Sequence, residues 1–222
     1  MKTLTNFDLK LPFRHPVDGG LDDLFEMETT KYYHANLQPS DISDTFRNWA
    51  SSVGMYIAGA EVFVFPENFA MEIHVDGNEF SNKHKINWTY SSGDHSLRWY
   101  KPNDKWSGRQ TAYPQDDGNL DDYRTPWSWV RQGCYAFEPD EVDVLASTFV
   151  KGNGTRLCTV INSGIPHGII SHAPRISISA TLFPIGVTSP HKDWGFDINK
   201  AYEIYKDYVV EGSELWIDQF YS

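Results

Sequence analysis

Phe69-Ala70-Met71-Glu72-Ile73-His74-Val75-Asp76 is a short apolar run that ends in an imidazole and a carboxylate two positions apart. Side chains on an extended chain alternate with period two, so His74 and Asp76 at a strand end point the same way. Pro166-His167 and Arg175-Ile176-Ser177 follow far along the chain, among further strand-like runs. A strand that brings His167 back to the His74-Asp76 pair completes one face of a metal ion. Two imidazoles and one carboxylate leave three octahedral positions open, the donor set of mononuclear non-haem iron sites.

Outward from this stretch the pattern is mostly that of strands. Residues 61–66 and 70–74 are apolar runs parted by the turn Pro66-Glu67-Asn68, and residues 85–90 and 96–100 alternate around Ser91-Ser92-Gly93-Asp94, which predicts a hairpin. Residues 127–137, 142–149, 156–162, 168–171 and 175–183 continue as strands with Gly or Pro between them. A helix is predicted over 41–53, capped by Ser40 or Asp41, with Ile42, Phe46 and Trp49 on one stripe; a second is predicted over 198–209, capped by Asp197. Residues 1–38 lack a sustained period and are expected to wrap the core as short strands and loops. Strands in the middle with helices at both ends predict a mainly β barrel or sandwich, one domain over 1–222. Residues 106–126, rich in Gly, Asp, Tyr and Pro, are too long for a simple connection. Asp116, Asp117, Asp121 and Asp122 make that stretch either a solvated acidic loop or a lid over substrate.

The formal charge of -11 argues against a nucleic acid partner, because counterion release needs clustered Lys and Arg. No window approaches the roughly 18 apolar residues of a membrane span, and residues 1–12 hold no signal-peptide core, so a soluble cytoplasmic protein is expected. Cys134 and Cys158 form neither a disulfide framework nor a metal knuckle. Asn87-Trp88-Thr89 and Asn153-Gly154-Thr155 match the glycosylation sequon, which has no meaning in an intracellular chain.

The sequence His74-Val75-Asp76, His167 and Arg175-Ile176-Ser177 resembles the Fe(II)/2-oxoglutarate-dependent oxygenases, whose pattern is His-x-Asp, a distal His and Arg-x-Ser. The resemblance covers residues 60–185. It implies a double-stranded β-helix (jelly-roll, cupin-like) core there, with 1–59 and 186–222 as supporting segments and flanking helices. It further implies Fe(II) on His74, Asp76 and His167, and 2-oxoglutarate as co-substrate, its distal carboxylate on Arg175 with help from Ser177. Asn87 and Arg98, on the two strands after the metal pair, are implied as further co-substrate contacts. The implied reaction is dioxygen-dependent hydroxylation of a small molecule, amino acid or peptide side chain, with release of succinate and carbon dioxide. Lys85-Ile86-Asn87-Trp88 and Leu97-Arg98-Trp99-Tyr100 are loosely similar to the aspartyl/asparaginyl hydroxylase-like branch, and the whole pattern also loosely resembles the prolyl hydroxylase-like branch. The former often lacks the acidic ligand that Asp76 supplies here, so its substrate is not carried over.

His172 competes with His167 for the distal role but stands only three residues before Arg175, in what reads as a turn. His15, His34, His84, His95 and His191 are expected in solvent or loops. Two other functions fit the composition: a cupin-like metalloenzyme that does not use 2-oxoglutarate, and a non-catalytic jelly-roll binding or structural module. The second gives no reason for His74, Asp76 and His167 to converge within about 5 Å, as one metal ion requires.

Overall fold

In the computed structural model, residues 2–18, 32–77, 79–108, 110–111, 134–150, 155–187, 196–218 and 220 are described. Their elements in order are β1 (Lys2–Asp8), β2 (Tyr33–Asn36), α1 (Asp44–Ser52), β3 (Met55–Phe65), β4 (Phe69–Ala70), β5 (Ile73–His74), β6 (His84–Ser91) and β7 (His95–Pro102). They continue with β8 (Gln110–Thr111), β9 (Cys134–Phe137), β10 (Val142–Val150), β11 (Thr155–Asn162), β12 (His167–Ser171), β13 (Arg175–Pro184), α2 (Ile198–Tyr205) and β14 (Leu215–Asp218).

The strands form two antiparallel sheets, ordered β14-β1-β11-β6-β13-β3-β2 and β10-β7-β12-β5-β9-β8. From β3 to β13 the chain passes repeatedly between them. The inner order β3-β13-β6-β11 in one sheet and β5-β12-β7-β10 in the other is that of a double-stranded β-helix. β1, β14 and β2 widen the first sheet at its two edges.

Register explains why one face of the first sheet is apolar while the other carries most of its polar side chains. Arg175 lies opposite Ser91 and Phe65, Ser177 opposite Thr89 and Phe63, and Ser179 opposite Asn87 and Glu61. Those residues share the barrel's inner face, because paired residues point the same way. The intervening Ile86, Trp88, Tyr90, Ile176, Ile178, Ala180, Val62 and Val64 face outward and are buried in the main hydrophobic core. The two helices cover that outer face. Phe46 of α1 meets Trp88 edge to face at 4.8 Å, and Tyr205 of α2 lies 5.4 Å from Trp49.

Both helices start differently from, or end earlier than, the pattern predicts. Ser43 caps α1, its hydroxyl accepting from the Phe46 amide at 3.2 Å, rather than Ser40 or Asp41. Pro39 to Asp41 form a separate 3-10 turn, and Ile42 is buried ahead of the helix. Asp197 caps α2 as expected, accepting from the amides of Asn199 and Lys200. That helix stops at Tyr205 and tightens into a 3-10 turn over Lys206–Tyr208. Residues 112–133 and His191 lie outside the described residues, and with them the acidic stretch read as a lid. No helix among the described residues is long and apolar enough to cross a membrane.

His84 locks β6 to the α2 end of the core. It is fully buried, donates from Nδ1 to the Phe196 carbonyl at 2.8 Å and accepts at Nε2 from the Tyr205 hydroxyl at 3.3 Å. Burial pushes its pKa down to about 4. The unfolded chain takes up a proton near the ordinary histidine value while the folded chain refuses it, so the stability is whole above that value and declines as pH falls towards 4. His84→Asn keeps a donor in place but cannot titrate. Between pH 7 and pH 5 the wild type should therefore lose about 2 kcal/mol more unfolding free energy than His84→Asn, measured by urea denaturation at both pH values. Equal losses in the two proteins would show that His84 does not exclude the proton.

Candidate metal centre

β12 lies between β5 and β7, and His167 is in register with His74 on one side and Trp99 on the other. Register alone thus places the two imidazoles side by side, with ring centroids 4.6 Å apart. Asp76 follows His74 just past the end of β5, where its amide donates to the Ser163 carbonyl at 2.9 Å. That contact ties the carboxylate to the turn leading into His167. Gly164 makes the close pass possible, since a Cβ there would stand 2.2 Å from the Ser81 carbonyl oxygen. The ligating atoms of His74, Asp76 and His167 all lie within 4.8 Å of one another. Among the described residues this is the one such cluster.

Hydrogen bonding orients both rings. Nδ1 of His74 donates to the Glu72 carbonyl at 2.8 Å, and Nδ1 of His167 to the Ile165 carbonyl at 2.9 Å. A carbonyl can only accept, so the proton sits on Nδ1 and Nε2 is the coordinating atom of each ring. Nε2 of His74 is 3.5 Å from Asp76 Oδ1, while Lys85 Nζ holds Asp76 Oδ2 at 3.0 Å. One oxygen of Asp76 is therefore directed to the imidazoles and the other to an ammonium. A divalent ion with bonds of about 2.1 Å has neighbouring ligand atoms roughly 3 Å apart, so the His74-Asp76 pair is already near its bound spacing. Nitrogen, nitrogen and carboxylate oxygen on one face suit Fe(II) and the other divalent transition ions.

The charges are arranged to match. Burial raises the Asp76 carboxyl, but the Lys85 ammonium and the His74 hydrogen bond outweigh it and hold the group well below the usual range. Burial lowers His74, and Asp76 outweighs it, so the ring keeps its proton above the ordinary pH. His167, buried beside His74, is pushed down to about 4. Lys85 is itself shared with Glu61 Oε2 at 3.5 Å, and Glu61 Oε1 meets His34 Nε2 at 3.2 Å. Glu61, Lys85 and His34 carry no motif, and nothing in the sequence pattern singles them out for this network.

Arg175 stands at the opposite end of the inner face, on the first residue of β13. Its guanidinium is 4 % exposed, donates from Nη2 to Thr89 Oγ1 at 3.1 Å and lies 5.4 Å from the Phe65 ring. Nε and Nη1 are buried without a hydrogen-bond partner, and no carboxylate among the described residues pairs with it. Burial lowers its pKa to about 9, which still leaves it charged at neutral pH. Ser177 Oγ reaches Thr89 Oγ1 at 3.4 Å, so it joins the same group. Along β6 the inward residues run Lys85, Asn87, Thr89. Asn87 thus stands between the metal end and the arginine end, with its Oδ1 buried and unpartnered.

His74, Asp76, His167, Arg175, Ser177 and Asn87 therefore share one inner surface. Arg98 does not join them. It neighbours Trp99, which is in register with His167, so Arg98 projects from the outer face of β7, where it hydrogen-bonds Tyr100. Alternation in residues 96–100 was compatible with either face turned inward. His172 is exposed in the β12–β13 turn, away from the metal face. His84 and His95 are buried rather than in solvent or loops, and His34 is half-buried in the Glu61 network.

No protein-family model and no curated protein sequence matches the chain. Solved structures resemble it at a distance. E. coli ycfD is 11% identical over 60% of this chain and 27% of its own, with a TM-score of 0.32, so the chain spans about a quarter of that protein. HygX from Streptomyces hygroscopicus, with nickel and 2-oxoglutarate bound, is 11% identical over 74% of each chain, with a TM-score of 0.37. An oxalate oxidase in complex with glycolate is 12% identical over 91% of this chain and 88% of its own, with a TM-score of 0.30. The double-stranded β-helix rests on strand order and register, not on these likenesses.

A divalent ion that binds only the folded chain raises its stability by about 2.7 kcal/mol at a hundred times its Kd, which for a chain of this size is a rise in Tm of about 5–10 °C. Co(II) should produce that shift in the wild type and not in His167→Ala. Because the proton on His74 competes for Nε2, the apparent affinity should weaken as pH falls. A shift retained in His167→Ala, read by thermal melts with and without Co(II), would remove that histidine from the centre.

Proposed function

We propose that the protein is an Fe(II)- and 2-oxoglutarate-dependent oxygenase that hydroxylates a small molecule, an amino acid or a peptide side chain. The observation that carries the reading is Arg175, a buried guanidinium with Nε and Nη1 unpartnered, on the same inner face as the three candidate metal ligands. A buried cation without a counter-charge is costly unless a ligand completes it. Its planar pair of donors matches a carboxylate in two-point geometry.

β12 begins at His167 and ends at Ser171, five residues whose four steps span about 13 Å along the strand. Arg175 lies at the far end of that span but reaches back towards the metal end as far as Thr89. In this reading a five-carbon dicarboxylate would reach from Arg175 to the metal ligands past Asn87, the inward residue between Lys85 and Thr89 on β6. In this assignment Arg175 takes the distal carboxylate, with the Thr89 and Ser177 hydroxyls beside it. Asn87 faces the middle of the chain, and His74, Asp76 and His167 hold the metal. Lys85, which holds Asp76 Oδ2, would leave Oδ1 as the oxygen that coordinates. Ferrous iron held there supplies the redox chemistry that couples decarboxylation of 2-oxoglutarate to succinate with transfer of an oxygen atom to a substrate C–H bond. The protein's own contribution is to orient the co-substrate and to keep the inner face shielded from water.

Anaerobic addition of Fe(II) and then 2-oxoglutarate should give a weak visible charge-transfer band that needs both components. Metal binding without that band, with no 2-oxoglutarate turnover in air, would favour a metalloenzyme of another class. Arg175→Ala should raise the 2-oxoglutarate concentration for half-saturation of the band by about 100-fold, as expected when one partner of a buried charged pair is removed, while Co(II) affinity stays within a few-fold. Unchanged half-saturation would take the carboxylate away from Arg175.

A further inference from the structure

Resting on that reading, we propose that His95 is a second contact for the distal carboxylate, and that it takes up one proton from solvent as the co-substrate binds. His95 opens β7 and is in register with Ser171, the last residue of β12. It shares the inward face with Leu97 and Trp99, the latter in register with His167. Arg175 opens β13, which follows β12 after the turn at 172–174. The β6–β7 and β12–β13 turns pack on one another: the His172 amide donates to the Asp94 carbonyl at 2.9 Å, and a Cβ on Gly93 would lie 2.3 Å from that of Ala173. This packing brings His95 and Arg175 to the same end of the barrel.

Both side chains are buried to 4 % exposure, and both hold polar atoms without partners, Nδ1 of His95 and Nε and Nη1 of Arg175. A neutral imidazole beside a guanidinium is the expected state of the free protein, since burial and then the Arg175 charge both oppose protonation. The charged groups near the ring are Arg175 on β13 and Asp94 in its own turn; a backbone hydrogen bond with Gly93 and, after it, Asp94 favour the proton more weakly. An incoming carboxylate reverses that balance by adding a negative charge next to two buried nitrogen groups. The ring then gains a proton and donates to the anion, so two positive donors face one carboxylate. The step is an association with one proton consumed, and no covalent bond changes. His95 would thereby set specificity for a diacid over a co-substrate with a neutral distal end.

The test is calorimetric titration of the Co(II)-loaded full chain with 2-oxoglutarate, in two buffers of different ionisation heat, from pH 6 to pH 8. The wild type should take up close to one proton per ligand at neutral pH, with affinity rising by up to about tenfold for each unit of pH decrease. His95→Leu should bind at least tenfold more weakly at pH 6 and without proton uptake. His95→Asn, which keeps a polar group near the Nδ1 position but cannot titrate, should regain affinity while remaining independent of pH. Proton uptake that persists in His95→Asn would overturn the assignment and leave the co-substrate reading intact. If neither 2-oxoglutarate, glutarate nor succinate binds the Co(II)-loaded wild type, the reading and the assignment fall together.

Discussion

The antiparallel pairing of β5, β12 and β7 is the constraint on which the centre depends. β5 is only two residues long, and its second residue, His74, is its register partner with His167. A one-residue slip would turn one imidazole to the other face of the sheet, because the side-chain period is two. Such a short strand cannot hold its own register by ladder hydrogen bonds. It is held from outside, by β9 through His74 and Ala136, by the Val75 amide on the Tyr135 carbonyl, and by the Asp76 amide on Ser163. The candidate metal ligands thus lie where several weak restraints agree, and the Gly164 approach to Ser81 is one of them.

A second consequence follows from where the apolar surface goes. In many barrels the interior is the hydrophobic core. Here the first sheet turns most of its aliphatic and aromatic side chains outward, beneath α1 and α2, and the inner face carries Lys85, Asn87, Thr89, Arg175, Ser177 and Ser179 beside Phe63 and Phe65. Burial on the helix side supplies most of the driving force, at about 25 cal/mol per Å² of apolar surface. The inner face is then free to hold polar groups whose burial would otherwise be hard to sustain. Helices on one side and chemistry on the other are a single arrangement.

This division explains which parts were legible in the sequence. His-x-Asp, His167 and Arg-x-Ser carry the residue types that the proposed ligand chemistry would require, so they read as a pattern, and β13 shows its alternation openly in Arg175-Ile176-Ser177-Ile178-Ser179-Ala180. β7 does not. Its two faces are both covered, by the cluster around Tyr100, Phe137 and Val142 on one side and by Trp99 with Ile161 and Ile165 on the other. With both faces covered, Arg98 and Trp99 could not be sorted by polarity alone. His84 and His95 escaped for a related reason: a buried neutral imidazole has the same letter as an exposed one, and only neighbours far along the chain distinguish them. Ser43 displaced the expected helix cap because Pro39 starts its own turn, a competition between two adjacent start signals.

The least legible feature is also the one that makes the metal face electrostatically coherent. Asp76 and Glu61 are two carboxylates on the inner face, bridged by one ammonium, Lys85. Without Lys85 their repulsion and desolvation would press one of them to take a proton, and Asp76 would lose its value as a ligand. Glu61 in turn offsets the cation, so Lys85 can remain charged beside a metal without placing an unbalanced positive charge there. Counting Asp76 and Glu61 against Lys85 leaves one net negative charge, which favours a divalent ion over none and still leaves a positive excess once it is bound. With such an ion bound, that excess and Arg175 at the far end would give the inner face two attractors for anions. A dianion with carboxylates at both ends would satisfy them better than a monoanion does, so under the proposed function the electrostatics that keep Asp76 ionised would also bear on the choice of co-substrate.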